Sequence, residues 1–427
     1  MHDFVKLVST LHPRPRVRHP TLGASALLLM SACGGNMSSM EPRGDAEAAL
    51  DATVAALDAT VASEGGAPTD GAVGGGDSGA RRDAGPLPDL TSRRTSANVF
   101  VSGHSLTDNP LPDDMEAIAR SLGTSMSWNQ QNVIGSPLRI RTRGDGSSGW
   151  SGYSRGKNRS GSDMNVLNEL RNPQTLGGAR YDTLVITERH DLLSSLFYED
   201  TVRFLRHYHE RFIEGNPQGL SYFYEPWLGI PDKANPARWI TYERAALPIW
   251  ECVVTRINHS LEAEGRGDRI TTLPAAVALT ELVEQAIAGN VEGVSGGSTR
   301  QVVDRLFHDD VHLTKLGVYY MALVSYAAVY RQSPVGASAP AEVTATQAAS
   351  LQRVAWEYVA RYYAEPVAPT LNECQELMRE SGCRAYWTFR EQTGNIGACV
   401  GSFGKQEREN PFWFDAANDV SFWFAAP

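Results

Sequence analysis

Residues 96–109 read SANVFVSGHSLTDN, and this stretch decides the fold. Its central residues are apolar and β-branched, which is typical of a strand buried in a sheet. The segment 113–123 that follows, DDMEAIARSLG, has apolar residues at helical spacing. A strand that leads into a helix predicts the first unit of a parallel α/β sheet. Ser105 therefore lies at the carboxyl end of a strand, the edge at which open α/β sheets bind their ligands.

The alternation of strand and helix patterns continues beyond this unit. Further strands are predicted at residues 125–134, 181–187, 220–224 and 269–273, and further helices at 200–213, 242–264, 277–288, 314–330 and 346–363. Strands that alternate with helices predict an α/β fold, a parallel sheet with helices on both faces. The C-terminal residues that follow contain three cysteines and several aromatic side chains, and their pattern predicts no particular shape.

The residues before the first strand are predicted to serve export and attachment. Basic residues precede a short apolar stretch, LGASALLLMSA, that ends at Cys33, and this order predicts a signal peptide at residues 1–32. The run MSAC resembles a bacterial lipobox, so Cys33 is the predicted lipidation site; a plain secretory signal with an incidental cysteine is the alternative. Residues 33–96, rich in Ala, Gly and Asp, predict a disordered tether. Gly34 after Cys33 favours the outer membrane of a bacterial cell envelope.

The net charge and the cysteines of the chain indicate which partners, disulfides and metal sites to expect. The 427-residue chain has a formal net charge of -10, which argues against a nucleic-acid partner. The four cysteines other than Cys33 are an even number in an oxidising compartment and predict two disulfides. Three pairings are possible; the closeness of Cys374 and Cys383 in sequence favours that pair, which leaves Cys252 with Cys399, and free buried thiols are the alternative. No zinc-like spacing of Cys and His is present, so no metal is predicted.

A second candidate for chemistry lies in FHDDVHLTKLGVYYMA, residues 307–322, just before a predicted helix. Asp309 and His312 are three residues apart, a spacing that lets the carboxylate hold the imidazole in one tautomer. The other ring nitrogen is then free to deprotonate a hydroxyl such as that of Ser105. The alternatives are a turn or helix-capping serine, a packed or exposed histidine, and a metal site formed with His308 and Asp310.

Taken together, these segments resemble the SGNH (GDSL-type) hydrolases, serine esterases and lipases with a three-layer flavodoxin-like fold. The family's first block, GDS, appears here as Gly103-His104-Ser105, and its last block, D-x-x-H, begins at Asp309 and ends at His312. The resemblance implies that Ser105 is the nucleophile, His312 the base and Asp309 its orienting carboxylate. The resemblance covers roughly residues 97–331 and implies an SGNH hydrolase domain over residues 97–335. A C-terminal helix and a cysteine-containing extension, residues 336–427, are predicted to pack on the same domain.

The middle blocks of the family match less well. The second block supplies a backbone N–H, and QNVIGS places Gly135 at that position; its amide and that of Ser105 are the predicted oxyanion donors. The third block, normally G-x-N-D, reads Glu188-Arg189-His190-Asp191, so the donor Asn is absent. His190 is the predicted replacement donor, and Asn132 is the other candidate. His104 stands where the family has the Asp of GDS, and a neutral turn residue is the favoured interpretation.

Two segments are candidates for substrate contact. Residues 139–162 are basic, lack helical periodicity and contain Trp150 and Tyr153, side chains suited to a sugar or an anionic polymer. The alternative is a solvated loop that balances an acidic protein. In YFYEPWLG, residues 222–229, Glu225 and Trp227 are predicted at the ligand edge of the sheet, with core packing as the alternative.

The predicted function is that of an envelope-anchored serine esterase that hydrolyses short-acyl esters, such as carbohydrate O-acetyl groups, through an acyl-serine. It requires no cofactor, and its partners are the ester substrate and a membrane reached through lipid on Cys33. The runner-up is a non-catalytic glycan-binding surface lipoprotein with a degenerate SGNH fold, which the missing Asn favours. A chelator-sensitive metal hydrolase built on His308, Asp309, Asp310 and His312 is a third hypothesis.

Overall fold

A computed structural model of the chain describes residues 93–173, 176, 179–364, 368–405, 407 and 410–424. The predicted signal peptide at 1–32, the lipidation site Cys33 and all but the end of the predicted tether lie outside these residues. In the described part of the chain, no helix is long and apolar enough to span a bilayer.

The described residues form a central sheet and its surrounding helices. The strands are β1 (Ser96–Gly103), β2 (Ser125–Asn132), β3 (Thr183–Thr187), β4 (Leu220–Tyr224) and β5 (Ile270–Leu273). The helices are α1 (Leu111–Ser121), α2 (Leu138–Thr142), α3 (Val166–Arg171), α4 (Leu192–Tyr198), α5 (Thr201–Gly215), α6 (Ala237–Ala263), α7 (Ala275–Ile287), α8 (Thr299–Leu306), α9 (Lys315–Tyr330), α10 (Ala345–Ala364), α11 (Leu371–Leu377), α12 (Cys383–Phe389), α13 (Ile396–Phe403) and α14 (Asp419–Phe422).

All strands are parallel, and they lie in the order β2-β1-β3-β4-β5. This is the flavodoxin-like order, so the predicted α/β class is confirmed. Each strand lies close to its predicted position. In β1 and β3 the reason is that apolar, β-branched residues are buried in the core; Val99 and Phe100 of β1 are fully buried. β2 ends at Asn132, two residues earlier than predicted, because the chain turns there and Gly135 has a φ of 65°.

The strand order reverses direction at β1, and this reversal creates the ligand-binding edge. The chain steps from β1 to β2 on one side and through β3, β4 and β5 on the other. Because parallel crossovers are right-handed, the helix of the first step and those of the later steps cover opposite faces of the sheet. In agreement, α1 packs against α9, whereas α5 packs against α3 and α6. The carboxyl ends of β1 and β3 therefore flank the topological switch point.

The folded part begins slightly before the predicted boundary at residue 97. Arg94 donates its backbone N–H to the carbonyl of Tyr330 at 3.0 Å and its guanidinium to Thr183 Oγ1 at 2.7 Å. The last residues of the predicted tether therefore belong to the sheet domain.

The predicted disulfide pairing is wrong. The bonds join Cys252 to Cys374 and Cys383 to Cys399, with Cα–Cα distances of 5.5 and 5.7 Å. Cys374 and Cys383 are separated by continuous helical backbone, from α11 through a π-helical turn at Met378–Gly382 into α12. Nine residues of helix span about 13 Å, too far for a disulfide. The first bond ties the C-terminal extension to α6 of the sheet domain, so both belong to one compact unit.

Candidate active site

Ser105, His312 and Asp309 form one hydrogen-bonded chain at the carboxyl edge of the sheet. His312 Nε2 lies 3.0 Å from Ser105 Oγ, and His312 Nδ1 lies 2.8 Å from Asp309 Oδ2. A carboxylate only accepts hydrogen bonds, so Nδ1 carries the proton of the neutral ring and Nε2 is free to accept the serine proton. The structure thus brings together all three residues that the sequence predicted as nucleophile, base and orienting acid.

Gly103 and the loop between α8 and α9 position these side chains. A Cβ at Gly103 would overlap the hydroxyl of Thr107, so glycine lets Thr107 pack closely against the turn that carries Ser105 away from β1. In the α8–α9 loop, the His308 amide donates to the carbonyl of His312 at 2.8 Å. Thr314 ends the loop and caps α9 by accepting from the Gly317 amide at 3.3 Å.

Asp309 is held as a carboxylate by local hydrogen bonds. Its Oδ1 accepts from the backbone amides of His312 at 2.6 Å and Val311 at 2.9 Å. Partial desolvation raises the pKa of Asp309, but these amides and the His312 ring outweigh it and lower the pKa well below its usual range. The Asp309 and His312 side chains are each 45% exposed, so the base is open to solvent and to a substrate.

Trp227 supports the α8–α9 loop from behind and does not line the cleft, contrary to one of the two sequence interpretations. Its side chain is 1% exposed, and its Nε1 donates to the carbonyl of Val311 at 2.9 Å. The amide of Ile230 donates to the carbonyl of Asp310 at 2.7 Å. Glu225 is fully buried and accepts from the Val277 amide at 3.4 Å, so it too belongs to the core.

The amides of Ser105 and Gly135 both lie at the ends of neighbouring strands. Gly103 of β1 pairs with Asn132 of β2, which brings the two loops that follow side by side. Within the described chain, neither the Ser105 amide nor the Gly135 amide donates to another group. Gly135 is exposed, and both amides are therefore available to an oxyanion. The Asn132 side chain is partly exposed, and its Oδ1 is buried without a partner among the described residues.

Buried Arg141 and Glu188 tie the Gly135 loop to the end of β3, a connection that the sequence did not predict. Arg141 donates to the carbonyl of Ser136 at 2.8 Å and to the carbonyl of Thr187. Glu188 Oε1 accepts from the Leu138 amide at 3.0 Å. Burial lowers the pKa of Arg141 to about 10, so the guanidinium stays charged at neutral pH.

His104, the residue before Ser105, is a buried neutral residue. Its side chain is 2% exposed; Nε2 donates to the carbonyl of Glu188 at 2.9 Å, and Nδ1 accepts from the Leu106 amide at 3.4 Å. Burial, together with the charge of Arg141, lowers the pKa of His104 to about 3. The ring therefore joins the ends of β1 and β3 and does not contact substrate.

His190 lies beside this ring and is partly exposed. The His104 and His190 ring centroids are 6.5 Å apart. Burial lowers the pKa of His190, and the charges of Arg189 and Arg390 act in the same direction, while Asp191 opposes them. No hydrogen bond joins the His190 ring to another described residue, which leaves its N–H available to a ligand.

In segment 139–162, which the sequence predicts to contact substrate, Tyr153 is buried and Trp150 is partly exposed. Tyr153 is 1% exposed, and its hydroxyl lies 2.8 Å from His207 Nδ1. Trp150 stacks on the His207 ring with centroids 3.7 Å apart. The segment also begins inside α2 and contains a 3-10 turn at Ser151–Ser154, rather than forming one irregular loop. Within the described residues, no group of three or more His, Cys, Asp or Glu side chains forms a candidate metal site.

Comparisons with known proteins add little at this level of similarity. No protein-family model matches the sequence, and a search of curated proteins finds no significant match. Among solved structures, the chain is similar to a DUF4886 family protein from Bacteroides uniformis ATCC 8492, with 13% sequence identity and a TM-score of 0.43. That match covers 64% of this chain and 98% of the other, and it carries no argument about function.

Proposed function

We propose that this protein is an SGNH-type serine ester hydrolase. The observation that carries the proposal is the hydrogen-bonded chain from Ser105 Oγ through His312 to Asp309, with distances of 3.0 and 2.8 Å, at the switch point of a parallel sheet. Three further features support it: an exposed base, an ionised orienting carboxylate, and two backbone amides without an acceptor in the described chain.

The reaction follows from this geometry. Ser105 Oγ attacks the ester carbonyl carbon while His312 Nε2 takes the hydroxyl proton, and Asp309 stabilises the imidazolium that forms. The amides of Ser105 and Gly135 and the N–H of His190 donate to the oxyanion. The tetrahedral intermediate expels the alcohol, which takes the proton from His312, and leaves an acyl-serine. Water then attacks, His312 takes its proton, and collapse releases the acid and restores the Ser105 hydroxyl.

The substrate class that we propose is a short-acyl ester, with O-acetylated carbohydrate first. An acid–base pair with side chains 45% exposed suits an ester carried on a bulky alcohol better than one buried in a narrow apolar tunnel. We further propose that the chain is an outer-membrane lipoprotein anchored through Cys33, on the grounds of its N-terminal sequence alone. The competing glycan-binding hypothesis loses one of its supports, because Tyr153 of the basic segment is buried against His207.

The test is hydrolysis of p-nitrophenyl acetate and of acetylated oligosaccharides by the purified protein, beside the variants Ser105→Ala and Ser221→Ala. We expect turnover by the wild-type protein and by Ser221→Ala, and its loss in Ser105→Ala. Ser221 is a suitable control because its hydroxyl also lies 2.8 Å from a histidine nitrogen, that of His209, but is buried. Equal turnover by wild-type and Ser105→Ala protein contradicts the proposed function.

A further inference from the structure

His190 is held through its neighbours in the chain rather than through its own ring. On its N-terminal side, the Arg189 amide donates to Glu188 Oε1 at 2.6 Å, and the Arg189 carbonyl accepts from Ser195 Oγ at 3.0 Å. Those contacts come from the sheet domain itself. On the C-terminal side of His190, the backbone is held through the carboxylate of Asp191.

Asp191 is bound by the C-terminal extension. Its Oδ1 accepts from the Tyr386 hydroxyl at 2.7 Å and from the Ser194 amide at 3.2 Å, and its Oδ2 accepts from Arg390 Nη2 at 2.7 Å. Tyr386 lies in α12 and Arg390 directly follows that helix. The disulfide from Cys383, the first residue of α12, to Cys399 closes the segment that carries both side chains.

We propose that the C-terminal extension completes the active site, with Tyr386 and Arg390 as positioning residues that hold Asp191 and thereby His190 at the end of β3. This inference rests on the proposed hydrolase function, in which His190 donates to the oxyanion. The contacts with Asp191 are made one residue from His190, at the ligand edge of the sheet. A donor placed by neighbouring residues needs a rigid backbone, because an oxyanion hole works only when its donors are preorganised.

Arg390 also controls the charge that faces His190. Its ion pair with Asp191 is only partly exposed, at 36% and 25% for the two side chains. Without Arg390, the Asp191 carboxylate keeps only neutral donors and is free to attract the His190 ring away from the substrate. The charged or titratable groups that act on His190 are Asp191, Arg189, Arg390, His312 and His104.

The first test compares kcat and KM for Arg390→Met, Tyr386→Phe and Arg390→Lys. We expect Arg390→Met to lower kcat about tenfold with little change in KM, Tyr386→Phe to lower it by about threefold, and Arg390→Lys to recover part of the loss. Arg238→Met is the matched control, because Arg238 pairs with Glu391, the residue after Arg390 in the same extension. An equal fall of kcat in Arg390→Met and Arg238→Met, in step with melting temperature, overturns the proposal.

The second test does not depend on activity. We expect the pKa of the His190 imidazole, followed by NMR titration and assigned with His190→Gln, to rise in Arg390→Met and to stay unchanged in Arg238→Met. The rise is expected because the Arg390 charge lowers this pKa and Asp191 raises it. If the wild-type protein hydrolyses no ester yet this rise is seen, the hydrolase function fails and the contact of the extension with the His190 loop stands. An unchanged His190 pKa in Arg390→Met overturns the contact itself.

Discussion

Among the residues that the structure describes, two Ser–His–Asp hydrogen-bonded chains have almost the same hydrogen-bond lengths. In the first, His312 lies 3.0 Å from Ser105 Oγ and 2.8 Å from Asp309. In the second, His209 Nδ1 lies 2.8 Å from Ser221 Oγ, and Nε2 lies 2.8 Å from Asp268 Oδ2. Distances alone therefore do not distinguish a candidate nucleophile from a structural hydrogen-bond network.

The two chains differ in their place on the sheet and in their burial. Ser105 follows the carboxyl end of β1, whereas Ser221 is near the amino end of β4 and Asp268 precedes β5. The His312 side chain is 45% exposed, but that of His209 is fully buried and Ser221 is 2% exposed. The first of these hydrogen-bonded chains is therefore open to solvent, and the second is buried. The Ser105 chain therefore differs from the Ser221 chain in its exposure to solvent and in the backbone amides beside it that are unpaired within the described residues, and not in the pattern of its hydrogen bonds.

Electrostatics agree with a structural role for the buried chain. Burial lowers the pKa of His209 despite the opposing effect of Asp268, so the ring is neutral at physiological pH. Desolvation raises the pKa of Asp268, but hydrogen bonds from His209 and Arg266 lower it well below its usual range. Neutral His209 and ionised Asp268 thus both make the hydrogen bonds that their protonation states allow, and these bonds stabilise the fold.

The largest effect that separates the two chains is expected from Ser105→Ala and His312→Ala. Each should lower kcat/KM by about 10³-fold or more, and the double variant should lose little further, because the residues act as one unit. Steady-state ester hydrolysis and circular dichroism measure the effect and the integrity of the fold. Additive losses in the double variant would speak against a single acid–base unit.

A second prediction concerns buried His104 and the dependence of stability on pH. The pKa of His104 falls from 6.5 to about 3 on folding, so the unfolded chain binds its proton first as the pH drops. As the pH drops from 6.5 towards 3, we expect the free energy of unfolding to fall. His104 should contribute about 1.4 kcal/mol per pH unit to this fall. Urea unfolding at several pH values measures the slope. His104→Asn, which keeps a donor for the Glu188 carbonyl, should flatten the slope; an unchanged slope contradicts the assignment.

Ser221→Ala tests the buried chain directly. Removal of the hydroxyl leaves His209 Nδ1 without its partner in the core, which should lower the free energy of unfolding by about 1–2 kcal/mol. We expect ester hydrolysis below the melting transition to stay at the wild-type rate, because this chain contacts no substrate. A loss of activity in folded Ser221→Ala would show that the two chains are not independent.

The smallest effect is expected from Trp227→Phe. The change removes the hydrogen bond to the Val311 carbonyl, 2.9 Å long, and also part of the packing of the buried indole, while an aromatic ring stays in place. Loss of one such bond, about 1 kcal/mol, should lower kcat about fivefold through less accurate placement of His312. Tyr153→Phe, which removes a single hydroxyl bonded to His207, is the control and should leave kcat unchanged.

The sequence predicted the part of the site whose partners are close in the chain. Asp309 and His312 are three residues apart, and Ser105 follows its strand directly, so short motifs located all three. The other part depends on contacts between distant residues. Arg390 lies 199 residues from Asp191, and Glu188 lies 50 residues from Leu138, and no local pattern indicates either contact.

Contacts between distant residues also explain where the sequence-based predictions differ from the structure. The disulfide pairing was predicted from closeness in sequence, but continuous helical backbone carries Cys374 and Cys383 apart. Tyr153 is a predicted substrate contact because of the basic residues around it, yet it is buried against His207 of α5. Burial by a distant helix is a tertiary effect that composition does not reveal. The parallel α/β class was predictable because strand and helix patterns alternate regularly.

The central claim is that Ser105, and not Ser221, is a nucleophile. Its most direct test is treatment of the folded protein with a fluorophosphonate probe, followed by peptide mass spectrometry to locate the adduct. We predict a single adduct on Ser105, absent in His312→Ala and present in His209→Ala as long as that variant remains folded. Folded wild-type protein without an adduct on Ser105, or with labelling of Ser221 at a similar rate, would contradict the account.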